Sequence, residues 1–167
     1  MNLSNAKSVL ISVQPKWCEL IASGKKTIEV RKTKPKLETP FKVYIYMTAG
    51  DASYPVTING APYTCNNNGG KDVIGEFICD RIYDTDTILL EGIDGEITMH
   101  DFREMSCLSG IELNAYSKGA FLYGWHISDL KIYPYGKSIR DFSKVGFDKI
   151  VPLRRPPQSW MYVEEIA

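Results

Sequence analysis

Gly24-Lys25-Lys26-Thr27-Ile28-Glu29-Val30-Arg31 is the stretch on which the reading of this chain turns, because a helix stop, a strand and four long ionic side chains follow one another within eight residues. Gly24 suits the left-handed position that ends a helix. From Thr27 the pattern alternates, with Ile28 and Val30 on one face and Thr27, Glu29 and Arg31 on the other. Upstream, Pro15 fits the first helical position, and Trp17, Leu20 and Ile21 form one apolar stripe, so a short helix is expected from Pro15 to Ser23. Before it, Ser8 to Gln14 alternates as a strand, with a second face made weakly apolar by Leu10. After it, Phe41 to Met47 places Phe41, Val43, Ile45 and Met47 opposite Lys42, Tyr44 and Tyr46.

Further along, residues 51–72 change character. Asn59-Gly60 and the run Asn66-Asn67-Asn68-Gly69-Gly70 mark a long loop or an inserted hairpin turning at Asn59-Gly60. Val73 to Tyr83 reads as one long strand, and Ile88 to Leu90 and Glu96 to Thr98 as shorter ones. Thr98-x-x-Asp101 and Ser109-x-x-Glu112 are capping boxes that predict helices near 99–107 and 110–118, the second stopped by Gly119. Ala120 to Ile132 reads as a strand, Ser138-x-x-Asp141 as the start of one helical turn, and Trp160 to Val163 as the closing strand. Long helices do not alternate regularly with strands, which argues against a doubly wound sheet. The expected architecture is α+β: a small, mostly antiparallel β-barrel with peripheral short helices, in a single domain over 1–167.

Composition narrows the function classes. The 167 residues are 44% hydrophobic and 11% aromatic, a globular balance. No apolar run is long enough to span a bilayer, and no secretory signal opens the chain, so a cytoplasmic protein without membrane contact is expected. Cys18, Cys65, Cys79 and Cys107 are widely spaced and only two histidines are present, which disfavours structural zinc and a disulfide scaffold. No metal site and no cofactor is expected. The formal charge is zero, but residues 1–50 carry nine Lys/Arg against three Asp/Glu, and residues 51–130 carry four against thirteen. A basic block of this kind can steer an anionic partner, although Lys32, Lys34 and Lys36 fit equally well as a charged strand edge that resists aggregation.

Familiar catalytic patterns are missing. Gly24-Lys25-Lys26 has Glu19 and Lys26 where a phosphate-binding P-loop needs Gly and Ser or Thr. His100 and His126 read as structural, and Cys18 lacks a histidine partner that would activate it. Two readings of the polar strand stay open. Arg31 offers a fork for phosphate or carboxylate and Glu29 an acceptor for an exocyclic amine, which together suit a polar ligand. The competing reading is a salt bridge at the end of a strand. Strict alternation puts Lys26 with Ile28 and Val30, so it joins Glu29 and Arg31 only if the turn after Gly24 is irregular.

Gly24, Lys26, Glu29 and Arg31 match G-x-K-x-x-E-x-R, and on those residues the chain resembles the ASCH domain family of PUA-like barrels. Val9 to Val13 with Pro15-Lys16-Trp17 resembles the family's opening strand and helix, and Tyr123-Gly124-Trp125-His126-Ile127 a late strand. Arg154 to Trp160 is similar to a C-terminal segment of phage and Firmicutes-type members. The resemblance implies a cleft lined by Lys26, Glu29 and Arg31, with RNA or a nucleotide or nucleoside as the partner. It also implies an alternative: one small branch deacetylates acetylcytidine with a lysine at the Lys26 position, a threonine where this chain has Glu29, and a distant glutamate. Some relatives are described as ribonucleases. The first expectation is therefore a binding module that uses Lys26, Thr27, Glu29 and Arg31, with a base stacked on Trp125 or Trp160. The second is a hydrolase with Lys26 and Glu29 as its catalytic pair. A third use, docking of a protein partner, falls on residues 51–72 and Arg154–Trp160.

Overall fold

The structure is a computed structural model that describes residues 7–49, 57–58, 61–62 and 72–166. In chain order its elements are β1 (Ser8–Val13), α1 (Pro15–Ala22), β2 (Ile28–Arg31), β3 (Phe41–Met47), β4 (Thr57–Ile58), β5 (Ala61–Pro62), β6 (Val73–Cys79), β7 (Ile82–Asp84) and α2 (Thr85–Glu91). There follow α3 (Met99–Ser106), α4 (Gly110–Ser117), β8 (Tyr123–His126), β9 (Ser128–Lys137), β10 (Phe142–Lys144) and β11 (Trp160–Glu165). A six-stranded sheet runs β10-β11-β1-β3-β6-β9, and a three-stranded sheet runs β2-β8-β7. All pairings in the two sheets are antiparallel except β1 with β3.

The fold is thus α+β and mostly antiparallel, but the larger sheet is not closed into a barrel, because β10 and β9 remain its edges. Two of the expected strands prove to be corners. Residues 73–83 divide at Asp80-Arg81 into β6 in one sheet and β7 in the other, and residues 120–132 divide at Ile127 into β8 and β9 in the same way. Polar pairs, Asp80-Arg81 and Ser128-Asp129, interrupt the apolar alternation at both breaks, and the β-branched and aromatic residues on either side read through them as one strand; strands that switch sheets bend where two packed sheets meet. At the second corner the Ile127 amide donates to the Thr27 carbonyl, and Asp129 adopts φ +47°.

Ile88 to Leu90 lies in α2 rather than in a strand. Asp84 caps that helix by accepting from the Asp86 amide, and only Ile88 of the apolar run is buried, while Leu90 is 80% exposed. A short apolar run carries no period that separates helix from strand, so the cap decides. Glu96 to Thr98 also forms no strand, and Thr98 instead caps α3. Both expected capping boxes are present, and α1 begins at Pro15 and is followed by Gly24 at φ +78°. The two described pieces around residues 59 and 60 pair as a small hairpin, Thr57 with Pro62 and Ile58 with Ala61; the rest of the 51–72 segment, apart from Asp72, lies outside the described residues.

Both faces of β1 and β3 are covered. Val9, Ile11, Val43 and Ile45 join a core with Phe77 and Trp125, while Leu10, Tyr44 and Tyr46 pack on the opposite face with Phe142 and Leu153. A third cluster fills the space between the small sheet and the helices: Ile28, Val30, Ile88, Phe102 and Leu113. Gly124 makes that third contact possible. A Cβ there would stand 2.5 Å from Phe102 Cε2 and 2.7 Å from Ile28 Cγ2, so α3 reaches the sheet only because residue 124 lacks one. This close approach sets the C-terminal end of α3 beside Lys26.

Candidate functional site

The alternation read from the strand places the charges inside. Ile28 and Val30 face the helices, while Glu29 and Arg31 are 6% and 8% exposed on the inward face. Lys26 is 2% exposed and joins them. The irregular turn that this requires is observed: the Lys26 amide donates to the Leu20 carbonyl, and the Thr27 amide donates to the Met105 carbonyl. Lys26 Nζ donates to the Ser106 carbonyl at the end of α3 (2.6 Å), stands 3.5 Å from Glu29 Oε2, and lies 5.0 Å from the ring centroid of Trp17.

Arg31 fastens three parts of the fold. Its Nη2 donates to Glu29 Oε1 (2.9 Å) and to the Ser12 carbonyl at the end of β1 (2.6 Å). Its Nε also meets Glu29 Oε1 (3.2 Å), and its Nη1 donates to the carbonyl and hydroxyl of Ser159, just before β11. The fork expected to meet a phosphate is therefore turned inward, toward protein acceptors. Cations that face solvent stand at the rim instead. Lys32 Nζ is 4.9 Å from the ring of Tyr116, and Lys34 Nζ is 5.4 Å from that of Tyr123.

Burial lowers the pKa of Lys26 from the ordinary lysine value, opposed by the charge and hydrogen bonding of Glu29. Desolvating an ammonium favours its neutral form, and the adjacent carboxylate favours the charged one. The same burial, followed by the charge of Glu29, pushes the Cys18 thiol strongly upward, which makes Cys18 a poor nucleophile. Tyr116, from α4, is also in electrostatic reach of the cluster: burial raises its pKa, Arg31 lowers it and Glu29 raises it. Sequence reasoning missed Tyr116, and no local signal marks it, because only the docking of α4 brings it to this end of the sheet.

Two buried polar atoms lack a hydrogen-bond partner among the described residues: Glu29 Oε2 and Trp125 Nε1. They belong to directly opposed residues, since Glu29 pairs with Trp125 across β2 and β8. Side chains of opposed residues in an antiparallel pair share a face, with Cβ atoms roughly 5 Å apart. Glu29 Oε2 is held by the Lys26 ion pair at 3.5 Å, so the orphaned group is the donor, Trp125 Nε1, set opposite a carboxylate whose second oxygen has charge pairing but no hydrogen bond.

The remaining expected residues fall as follows. Trp125 is fully buried, edge-on to Phe41 and to Trp160, so its ring face is core and closed to a stacked base. Trp160 is partly exposed and donates from Nε1 to the Thr33 hydroxyl. Thr27 is half-buried and held through its backbone. His126 stands 2.6 Å from Asp80 and ties down the corner between β6 and β7. At the C-terminal end of α3 a pocket of ≈ 410 Å³ opens between His100, Arg103, Glu104 and Cys107. Among the described residues no group of three or more His, Cys, Asp or Glu side chains is placed to hold a metal ion. Among the same residues no helix is long and apolar enough to cross a membrane.

Two sheets sharing corner strands, with short helices packed outside and a Lys-Glu-Arg cluster inside, define a PUA-like α+β domain, a fold often linked to RNA binding. The ASCH domain family matches residues 11–123, and the chain belongs to that family. Among solved structures, the ASCH protein of Zymomonas mobilis superposes with a TM-score of 0.57 at 19% identity, covering 95% of this chain and 89% of that one. A serine-to-alanine mutant of the same protein gives 0.60 at 21% identity, covering 96% and 90%. These likenesses establish the fold. No curated protein matches the chain.

Proposed function

We propose that this protein is an RNA- or nucleotide-binding module whose Lys26–Glu29–Arg31 cluster recognises one polar group of its ligand. The observation that carries this reading is a buried carboxylate held between Lys26 and Arg31 whose Oε2 makes no hydrogen bond, opposite Trp125 Nε1, which also makes none. An acceptor next to a donor matches the edge of a base, where a carboxylate can accept from an exocyclic amine. Arg31 and Lys26 hold the carboxylate in place, and the exposed Lys32 and Lys34 at the rim supply charge for the attached phosphate. Trp125 contributes its indole N–H in this reading, and stacking is left to the half-exposed Trp160 and Tyr116.

The test is proton NMR of a nucleoside and nucleotide panel, with and without an excess of protein. Selective line broadening that Glu29→Gln removes and Lys25→Gln preserves is the expected result. Broadening that survives Glu29→Gln, or its absence from every compound, overturns the reading.

The pairing of Lys26 with Glu29, a cation 3.5 Å from a carboxylate, favours a second reading, hydrolysis of an amide on a modified base. Glu29 would take a proton from the attacking water, and Lys26 would stabilise the oxyanion that forms as the carbonyl is attacked. Collapse of that intermediate releases the carboxylate and the base amine. Acetate produced from acetylcytidine, and absent with Lys26→Met in an intact fold, would establish this reading over simple binding.

A further inference from the structure

A second charged feature lies at the other end of β11. A groove of ≈ 630 Å³ is lined by Arg140, Lys149 and Arg154 above a floor that includes Leu153. Among the described residues no acidic side chain lines it, and none of its three cations makes a salt bridge. The nearest acid in sequence to Arg140, Asp141, uses its carboxylate to accept the Ser138 amide in a capping box.

The groove is built on backbone pairing. The Leu153 amide donates to the Phe142 carbonyl (2.8 Å) and the Lys144 amide to the Val151 carbonyl (2.9 Å), so residues 151–153 lie along the edge strand β10 through one antiparallel bridge, Ser143 with Pro152. Leu153 is 1% exposed, whereas Ile150 beside it is 65% exposed and Phe147 is 58% exposed. Three unpaired cations with apolar side chains among them make a poor resting surface but a good seat for a strand that carries phosphates and bases.

The chain that leaves the groove runs to the buried cluster. Arg154 is followed by Arg155-Pro156-Pro157-Gln158-Ser159, and the far end of that segment is fastened to Ser12 and Arg31: Ser12 Oγ donates to the Pro157 carbonyl (2.6 Å), and Arg31 Nη1 donates to Ser159. Five residue steps separate the groove from the cluster, a span of at most about 18 Å. We infer that Arg140, Lys149 and Arg154 form a phosphate-backbone site for single-stranded RNA, continuous with the cluster along the Arg154–Ser159 segment. This inference rests on the reading of the cluster as an RNA or nucleotide site.

The experiment is fluorescence anisotropy of a labelled 12-nucleotide single-stranded RNA, titrated with the full chain from 50 to 300 mM salt. The triple variant Arg140→Gln, Lys149→Gln, Arg154→Gln is compared with the unaltered protein. Each phosphate left without its cation should reduce the salt slope by about 0.7, so the triple variant should give a slope of log affinity against log salt shallower by about 2. At 50 mM salt it should bind about tenfold more weakly or worse, while nucleoside line broadening stays unchanged. Equal slopes in a protein that binds the RNA would overturn the groove and leave the cluster reading standing. Nucleoside broadening without any RNA binding would overturn the groove in favour of a free-nucleotide ligand. Absence of both signals in the unaltered protein would defeat the cluster reading as well. Binding of an Asp/Glu-rich peptide through the same three cations, with no RNA bound, would replace the strand with an acidic protein partner.

Discussion

Glu29→Gln keeps the volume of the side chain and removes its charge, so the variant tests the buried cluster without opening a cavity. In the native fold one carboxylate serves two cations, Lys26 at 3.5 Å and Arg31 at 2.9 Å. Removing one partner of a buried ion pair leaves uncompensated charge and typically costs about 3–5 kcal/mol. For a domain of this size each kcal/mol lowers Tm by roughly 2–4 °C, so the variant should melt on the order of 10 °C lower. The deficit should also depend on pH. Burial depresses the Lys26 pKa below 10.5 even with Glu29 present, and without Glu29 it falls further. The charged form is then penalised in the fold. That penalty is fully present below the folded pKa and is relieved as pH rises through it toward 10.5. Denaturant unfolding between pH 7 and pH 10 should show the deficit narrowing as pH rises. In the double variant Lys26→Met, Glu29→Gln, the remaining cation is Arg31, which does not deprotonate, so its deficit should stay flat. A single variant within about 0.5 kcal/mol of the native protein, or a deficit that ignores pH, would refute the idea of a coupled buried cluster.

Gly124→Ala places a methyl group against Phe102 and Ile28 and should cost about 1–3 kcal/mol in urea unfolding. Phe102→Leu in the same chain should recover part of that cost, and strict additivity of the two changes would show that the contact is not what Gly124 permits. Thiol labelling in a Cys65→Ser background should modify Cys107 first. Cys18 and Cys79 are buried, and burial pushes the Cys79 thiol up to about 12. Labelling of all three at one rate in the folded protein would contradict that order.

Much of the site was legible from local rules. The helix from Pro15, its stop at Gly24, the shared face of Glu29 and Arg31, and both capping boxes follow from the steric and hydrogen-bonding needs of a few adjacent residues. The G-x-K-x-x-E-x-R pattern also sufficed to point to the ASCH family, whose match covers residues 11–123. What sequence could not decide was the direction of each side chain relative to the rest of the molecule. Alternation says that Glu29 and Arg31 lie together, yet only the docking of the small sheet under the large one makes their face the inner one. The turn at residues 25–27 bends because the Leu20 and Met105 carbonyls hold its amides, and that brings Lys26 to Glu29 against strict alternation.

The same reason explains the errors in the strands. Residues 73–83 and 120–132 carry strand-forming apolar residues on both sides of a corner, because both sheets bury apolar side chains; the polar pairs Asp80-Arg81 and Ser128-Asp129 mark the breaks, but only the packing of sheet against sheet shows that the chain crosses there. Trp125 was legible as an aromatic of a late strand, but that its ring lies in the core depended on Phe41 and Trp160 closing around it. The basic groove was beyond reach for a simpler reason. Arg140, Lys149 and Arg154 are scattered along the sequence, and the pairing of residues 151–153 with β10 is what gathers them. Sequence by itself thus determined the family, the local elements and the charges available; tertiary packing decided which charges meet, because burial and apposition are properties of surfaces that no neighbouring residue encodes.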